Sequence, residues 1–135
     1  MTSQTDQNKD IVRRSIEGIS IGDLEAFLGD AADDVTFKVI GQTSFSGDVS
    51  GKKTILKGLK RALGQGLEGG RIKMTIQNLI AEGNFVAEQT TGEARTVAGK
   101  EYNNTYCRVW EIEDGQVKVV TEYLDTELLR DVLAK

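Results

Sequence analysis

The chain has no histidine, no proline and a single cysteine, Cys107. Without histidine, acid–base chemistry near neutral pH must use a carboxyl group, Lys, Tyr, Cys or water, and a histidine-activated nucleophile is excluded. One cysteine forms no internal disulfide and cannot supply the ligands of a zinc site, so a reducing, cytoplasmic setting is favoured. We therefore expect neither a metal nor an organic cofactor.

Long apolar runs and basic runs are also lacking. No apolar stretch approaches the ~20 residues that a membrane-spanning helix requires. The formal net charge is −4, and the Lys and Arg residues are scattered along the chain. We therefore expect no membrane and no nucleic acid as partner. A length of 135 residues fits a single domain, 1–135, in which residues 1–5 are predicted to be disordered.

Apolar periodicity predicts three N-terminal helical segments around one strand, followed by a four-stranded meander and a last helix. The first helix begins near Asp6 and ends at Gly22, Asp23 caps the second, and Ser50 caps the third. Asp125 or the residue after it caps the last helix. The predicted strands are 35–40, 71–81, 85–97, 101–112 and 116–124, and residues 41–51 are predicted to form a loop.

This order of elements is typical of an α+β domain. Long antiparallel strands are expected to bend, so that the sheet wraps around the helices and leaves a cone with an open mouth. Such a mouth is suited to binding a small molecule. The partner that the sequence predicts is therefore a small-molecule ligand or substrate.

The stretch 102–133 contains most of the polar residues at strand positions. Two alternating segments flank Asp114 and Gly115, which predicts a hairpin. Glu122 alternates with Val120 and Leu124, so it shares a strand face with apolar residues. On the concave face its carboxyl would be partly desolvated, as suits a general acid or base. The alternative is a glutamate at the rim, hydrogen-bonded to a neighbouring strand.

Several segments resemble a known family. The runs GDLEAFL (22–28) and ADDVTF (32–37) resemble the opening of nuclear-transport-factor-two-like proteins. Residues 102–129 resemble the SnoaL-like branch, which includes polyketide cyclases and ketosteroid-isomerase-related proteins. The resemblance implies a cone-shaped, curved antiparallel sheet wrapped around N-terminal helices, with a short C-terminal helix. It does not imply one reaction, because this fold carries isomerases, cyclases, hydrolases and binding proteins.

The resemblance also argues against ketosteroid isomerase activity. It places the general base of those enzymes at Val39, and the two donors of their oxyanion hole at Ser15 and Cys107. A thiol is a weak donor and does not replace a protonated carboxyl group. All three positions therefore lack the group that this proton transfer requires.

Limonene-type epoxide hydrolase activity is not expected either. The resemblance aligns the Arg-x-Asp pair of those enzymes with Gln89, Thr90 and Thr91, which contain no carboxylate. The carboxylate on the last strand of the SnoaL-like cyclases corresponds to Glu122. Glu122 is therefore the single candidate catalytic residue.

The resemblance places Cys107 in the pocket, and the period of two of a strand then brings Asn103 and Thr105 to the same face. The predicted pocket residues are Phe37, Val39, Gln89, Thr91, Asn103, Thr105, Cys107, Val120 and Leu124. The opposite face of the strand is predicted to carry Asn104, Tyr106, Arg108 and Trp110. This composition is typical of an interface core, and the resemblance implies a homodimer that packs through this row.

Two hypotheses for the function follow. In the first, the protein is a SnoaL-like enzyme of isomerase, cyclase or hydrolase type. Glu122 then moves a proton on a small cyclic or polyketide-like substrate, while Asn103 or Thr105 holds the developing oxyanion. In the second, the protein is a non-catalytic module that binds a small apolar ligand or a partner protein. The lack of histidine and of a second pocket carboxylate favours the second hypothesis.

Overall fold

The computed structural model describes residues 3–133. Its helices are α1 (Gln4–Ile21), α2 (Leu24–Phe27), α3 (Lys52–Leu59) and α4 (Thr126–Val132). Its strands are β1 (Ala31–Val39), β2 (Gly47–Ser50), β3 (Lys73–Glu82), β4 (Phe85–Glu93), β5 (Thr105–Glu113) and β6 (Gln116–Leu124). A π-helical turn, Lys60–Gly64, continues α3. No helix within residues 3–133 is long and apolar enough to cross a membrane.

The six strands form one curved sheet in the order β2-β1-β6-β5-β4-β3. Neighbouring strands are antiparallel except for β1 and β6, which are parallel. The helices cover the concave face, and the core between them contains buried side chains such as Val12, Phe27, Trp110 and Val120. The predicted α+β fold, with helices against a curved sheet, is confirmed.

Helix ends follow the local chemistry of the chain. Gly22 has a φ of 82° and ends α1 in the left-handed conformation that glycine adopts without strain. The side chains of Asp23 and Asp125 accept hydrogen bonds from the N–H groups of Ala26 and Leu128, as predicted for the caps of α2 and α4.

Several boundaries differ from the prediction. Among the strands, β1 begins at Ala31 rather than at 35, β4 ends at Glu93 rather than at 97, and β5 begins at Thr105 rather than at 101. The predicted loop 41–51 contains β2.

The beginnings of two helices differ as well. Ser3 caps α1 by accepting from the N–H of Asp6, so residues 3–5 belong to the beginning of a helix. Residues 1 and 2, for which disorder was also predicted, lie outside the described residues. Ser50 does not cap α3, because it belongs to β2 and Gly51 takes the cap position. β2 is exposed along its length and shows no apolar alternation, so its pairing with β1 is what makes it a strand.

The register of the β5–β6 hairpin changes once. Next to the turn, Ile112 lies opposite Val117, as in a regular two-residue hairpin. One step further, Glu111 lies opposite Val119, so β6 contains one extra residue, a β-bulge. A regular register would place Cys107 opposite Glu122, whereas the bulge places Arg108 there. Residues directly opposite share a sheet face, so Arg108 joins Glu122 on the concave side.

The faces of β5 are therefore the reverse of those predicted. Tyr106, Arg108 and Trp110 are buried on the concave side of the sheet, as is Asn104 just before the strand. Their assignment to a dimer interface is wrong, because the chain buries them in its own interior. On the opposite side, Thr105 is exposed and Cys107 is half-buried.

The same reversal holds for β4. Val86, Glu88 and Thr90 are buried in the concave side, whereas Gln89 and Thr91 are exposed on the outer face. Because β4 pairs with β5 in register, the face of one strand fixes the face of the other.

Candidate functional site

A cavity of about 400 Å³ lies between the concave face of the sheet and the helices. This volume is within the range of small-molecule pockets. Its walls are mostly apolar and include Ile19, Phe27, Phe37, Val39, Leu59, Leu63, Met74, Leu124, Leu129 and Leu133. Four side chains form what we call its polar end: Tyr102, Tyr106, Arg108 and Glu122.

The predicted pocket residues separate into two groups. Phe37, Val39 and Leu124 line this cavity together with Glu122, and Val120 is buried in the core behind it. The prediction that the remaining five line the cavity is wrong, because the sheet faces are reversed. These five are Gln89, Thr91, Asn103, Thr105 and Cys107. Asn103 instead accepts a hydrogen bond from the N–H of Ala94.

Two side chains of the polar end, Arg108 and Glu122, form one row across the sheet with a third charged side chain, Glu88. Arg108 on β5 lies directly opposite Glu88 on β4 and Glu122 on β6. Its Nη1 donates to Glu88 Oε2 at 2.6 Å, and its Nε donates to Glu122 Oε1 at 2.8 Å. The row joins two carboxylates through one guanidinium, and charge-assisted hydrogen bonds of this kind fix the geometry of both partners.

Burial makes this pairing necessary. The side chain of Arg108 is 2% exposed and that of Glu88 is 0% exposed. Burial alone lowers the pKa of Arg108, but the charges of Glu88 and Glu122 outweigh this effect and raise that pKa, so the guanidinium stays charged. Removing Arg108 would leave two carboxylates side by side without a cation between them, which is strongly destabilising.

Glu88 is fixed on both of its oxygens. Trp110 Nε1 donates to Oε1 at 3.0 Å, and the hydroxyl of Thr90 donates to Oε2, which also accepts from Arg108. Glu88 therefore anchors Arg108. It is fully buried and does not line the cavity, so it does not contact a ligand there. Glu88 was not among the predicted site residues, although its alternation with the apolar Val86 was the available signal.

Glu122 is fixed on one oxygen only. Its Oε1 accepts from Arg108, and within residues 3–133 no hydrogen bond is formed to Oε2. The side chain is 13% exposed and lines the cavity. One oxygen is thus held in place and the other can interact with a molecule in the cavity.

Two tyrosines complete the polar end. The guanidinium of Arg108 lies over the ring of Tyr106, with 4.5 Å from Cζ to the ring centroid, in a cation–π contact. The hydroxyl of Tyr102 accepts from Asn104 Nδ2 at 2.9 Å. Burial raises the pKa of Tyr102 and raises that of Tyr106 well above its ordinary value. Both phenols therefore keep their protons at neutral pH. Tyr102 and Tyr106 are also hydrogen-bonded to each other, so one phenol proton is already engaged and the other can be donated to a ligand.

Asn104 has a structural role beside this site. Its Oδ1 accepts from the N–H groups of Thr105 and Asp125, and its Nδ2 donates to the carbonyl of Asp125. These bonds fasten the beginning of β5 to the cap of α4. The same amide orients Tyr102, so the cap and the polar end share one support.

In the part of the chain that the structure describes, no three Cys, Asp or Glu side chains come together to hold a metal ion. The expected lack of a cofactor remains a prediction.

Three solved structures are similar to this one over nearly their whole length. Bal32a, from a soil-derived mobile gene cassette, is 21% identical with a TM-score of 0.85, covering 97% of this chain and 99% of that one. An NTF2-like protein from Burkholderia pseudomallei is 19% identical with a TM-score of 0.82, covering 94% and 97%. An LEH-like epoxide hydrolase from M. tuberculosis is 17% identical with a TM-score of 0.75, covering 97% and 92%.

These identities establish a shared fold. Among proteins with curated functions, none matches the chain significantly in sequence. The model of the SnoaL-like domain family matches residues 12–120, which include most of the helices and strands described above. The chain therefore belongs to the SnoaL-like domain family.

Proposed function

We propose that this protein is a small-molecule enzyme in which Glu122 transfers a proton on a small, largely apolar substrate of cyclic or polyketide-like type. One observation carries the proposal. Glu122 offers one oxygen to an otherwise apolar cavity, while Arg108 holds the other oxygen. Membership of the SnoaL-like family supports an enzyme in general, without supporting one particular reaction.

In this proposal each side chain of the polar end has a role. Glu122 Oε2 takes a proton from the substrate or from a water molecule, and Arg108 stabilises the carboxylate and sets its direction. The hydrogen-bonded pair of Tyr102 and Tyr106 donates its free phenol proton to a substrate oxygen that gains negative charge. The role predicted for Asn103 or Thr105 therefore passes to the two tyrosines. The apolar walls exclude water, which strengthens these interactions.

A proton-exchange assay tests the proposal without knowledge of the natural substrate. A cyclic ketone such as 2-tetralone is incubated with the protein in D₂O, and loss of the proton next to the carbonyl is followed by NMR. We expect exchange above background, and a decrease of about a hundredfold in Glu122→Gln. Glu113→Gln is the matched control, because it removes the same charge from an exposed position of the same hairpin. Equal exchange in wild type and Glu122→Gln would contradict the proposal.

The second candidate is a non-catalytic binding module of the same fold. The row of ion pairs supports this function. Arg108 is paired with both carboxylates, and this holds Glu122 in a fixed place. The same assay separates the two functions. A protein that binds 2-tetralone but does not exchange its proton above background would be a binding module.

We also propose that the protein is a homodimer, and that it packs through the outer sheet face rather than through the buried row first predicted. Ile80, Ala87 and Val109 lie in register there, and Tyr123 is 46% exposed on the same face. Tyr123→Lys should shift the sedimentation mass from dimer to monomer. A wild-type monomer, or a variant that remains dimeric, would contradict this interface.

A further inference from the structure

We propose that the cavity selects uncharged ligands that carry both a hydrogen-bond acceptor and a donor, and that it rejects carboxylates. This inference rests on the proposed function in one respect, that a ligand occupies this cavity. It adds the class of ligand. The observation behind it is the charge balance of the row of Glu88, Arg108 and Glu122, which contains two carboxylates and one guanidinium.

Arginine in a ligand pocket usually indicates a site for an anion. Here Arg108 uses Nη1 on Glu88 and Nε on Glu122, and its face lies over the Tyr106 ring. Its side chain is almost fully buried. The positive charge is therefore already neutralised, and the row has a net charge of −1.

The rest of the cavity does not change this balance. Arg108 and Glu122 are the charged side chains among the described residues that line it. The lysines of α3 and of the π-helical turn after it lie outside the lining. Lys52 donates to the Ala31 carbonyl, and Lys60 pairs with Glu25. A carboxylate beside Glu122 would meet a like charge in a poorly solvated place, and the cation that lines the cavity, Arg108, is already paired with two carboxylates.

An uncharged ligand fits the same groups. The pair of Tyr102 and Tyr106 can donate one phenol proton to its carbonyl oxygen, since burial keeps both protonated and the second proton joins the two side chains. Oε2 of Glu122 can accept from its hydroxyl or amide N–H. The apolar walls can pack against a fused-ring system in the ligand. A primary amide or a hydroxyketone on such a ring system meets all three requirements.

Two probes of the same shape test the inference. Binding of 2-naphthamide and of 2-naphthoate is measured by calorimetry near neutral pH. We expect the amide to bind at least about tenfold more tightly, a difference of about 1.4 kcal/mol. In Glu122→Gln the row becomes neutral, so the preference for the amide should fall, whereas Glu113→Gln should retain it.

Naphthoate binding as tight as that of naphthamide, or no binding of naphthamide, would overturn the inference. An unchanged preference in Glu122→Gln would also overturn it, because the charge of Glu122 would then not be its source. Failure of the enzyme proposal can be distinguished from failure of this inference. If the protein does not catalyse proton exchange but still prefers the amide, the ligand selectivity holds and only the proposed catalysis is wrong.

Discussion

Arg108 Nε donates to Glu122 Oε1 at 2.8 Å because one extra residue in β6 brings these two side chains opposite each other. In a regular hairpin Glu122 would face Cys107, whose thiol is a weak donor. The bulge thus decides whether the carboxylate beside the cavity is held by a guanidinium. β-Bulges often re-aim side chains next to active sites in this way.

The buried row predicts a large effect of Glu88→Gln on stability. The variant breaks the buried ion pair with Arg108, and its amide replaces one acceptor oxygen by an NH₂ group that faces a donor of Arg108 or Trp110. We expect the free energy of unfolding in urea to fall by about 3 kcal/mol, as for other broken buried ion pairs. Glu93→Gln, at the exposed end of the same strand, should change it by less than about 0.5 kcal/mol. Equal effects of the two substitutions would show that the row contributes no more than a surface charge.

A substitution at Gly92 is expected to displace Tyr106 in the polar end. A Cβ at this position would lie 2.7 Å from Ile72 Cγ2 and 3.0 Å from Tyr106 Cε2, which is too close for either contact. Gly92→Ala should therefore lower the unfolding free energy by about 1–3 kcal/mol and displace the ring under Arg108. Thermal unfolding measures the first effect, and the near-ultraviolet circular dichroism of the tyrosines measures the second.

Gly58→Ala is the matched control for Gly92→Ala. Gly58 lies in α3, and an added Cβ there meets nothing within 4 Å. Alanine in a helix is favoured over glycine by about 1 kcal/mol, so this variant should be more stable than the wild type. Similar destabilisation in both variants would mean that the close approach at Gly92 is not the cause.

Much of the fold could be predicted because its signals are local. Gly22, Asp23 and Asp125 end or cap helices through their own backbone or side-chain chemistry. The alternation of Glu122 with Val120 and Leu124 correctly indicated a carboxylate among apolar side chains. Each of these signals lies within a few residues of the feature that it predicts.

The polar end could not be predicted because it depends on register. Val117, Val119 and Val120 break the alternation of β6, and this break was the only sign of the bulge in the sequence. A shift of one residue exchanges the two faces of a strand. The predicted faces of β4 and β5 rested on the resemblance, which carries no information on this register, so Glu88 was missed and the buried Trp110 was assigned to an interface.

The buried tyrosines predict a loss of stability at alkaline pH. The pKa values of Tyr102 and Tyr106 are raised in the folded protein, mainly by burial, above the ordinary value of about 10. The unfolded chain therefore loses these protons first as the pH rises. The stabilisation is fully present below pH of about 10 and is lost as the pH rises through the folded pKa values, at up to about 1.4 kcal/mol per pH unit for each tyrosine.

Urea unfolding measured at several pH values on either side of this window checks the prediction. The comparison is between the slopes of stability against pH in different variants rather than between absolute stabilities. The slope should be smaller in Tyr106→Phe than in the wild type, because one of the two buried phenols is gone. Tyr102→Phe should also have a smaller slope, because burial raises the pKa of this second phenol. If Tyr106→Phe lost stability as steeply as the wild type, the phenol of Tyr106 would not be held protonated by its burial, and its assignment as a hydrogen-bond donor at high pH would fail with it.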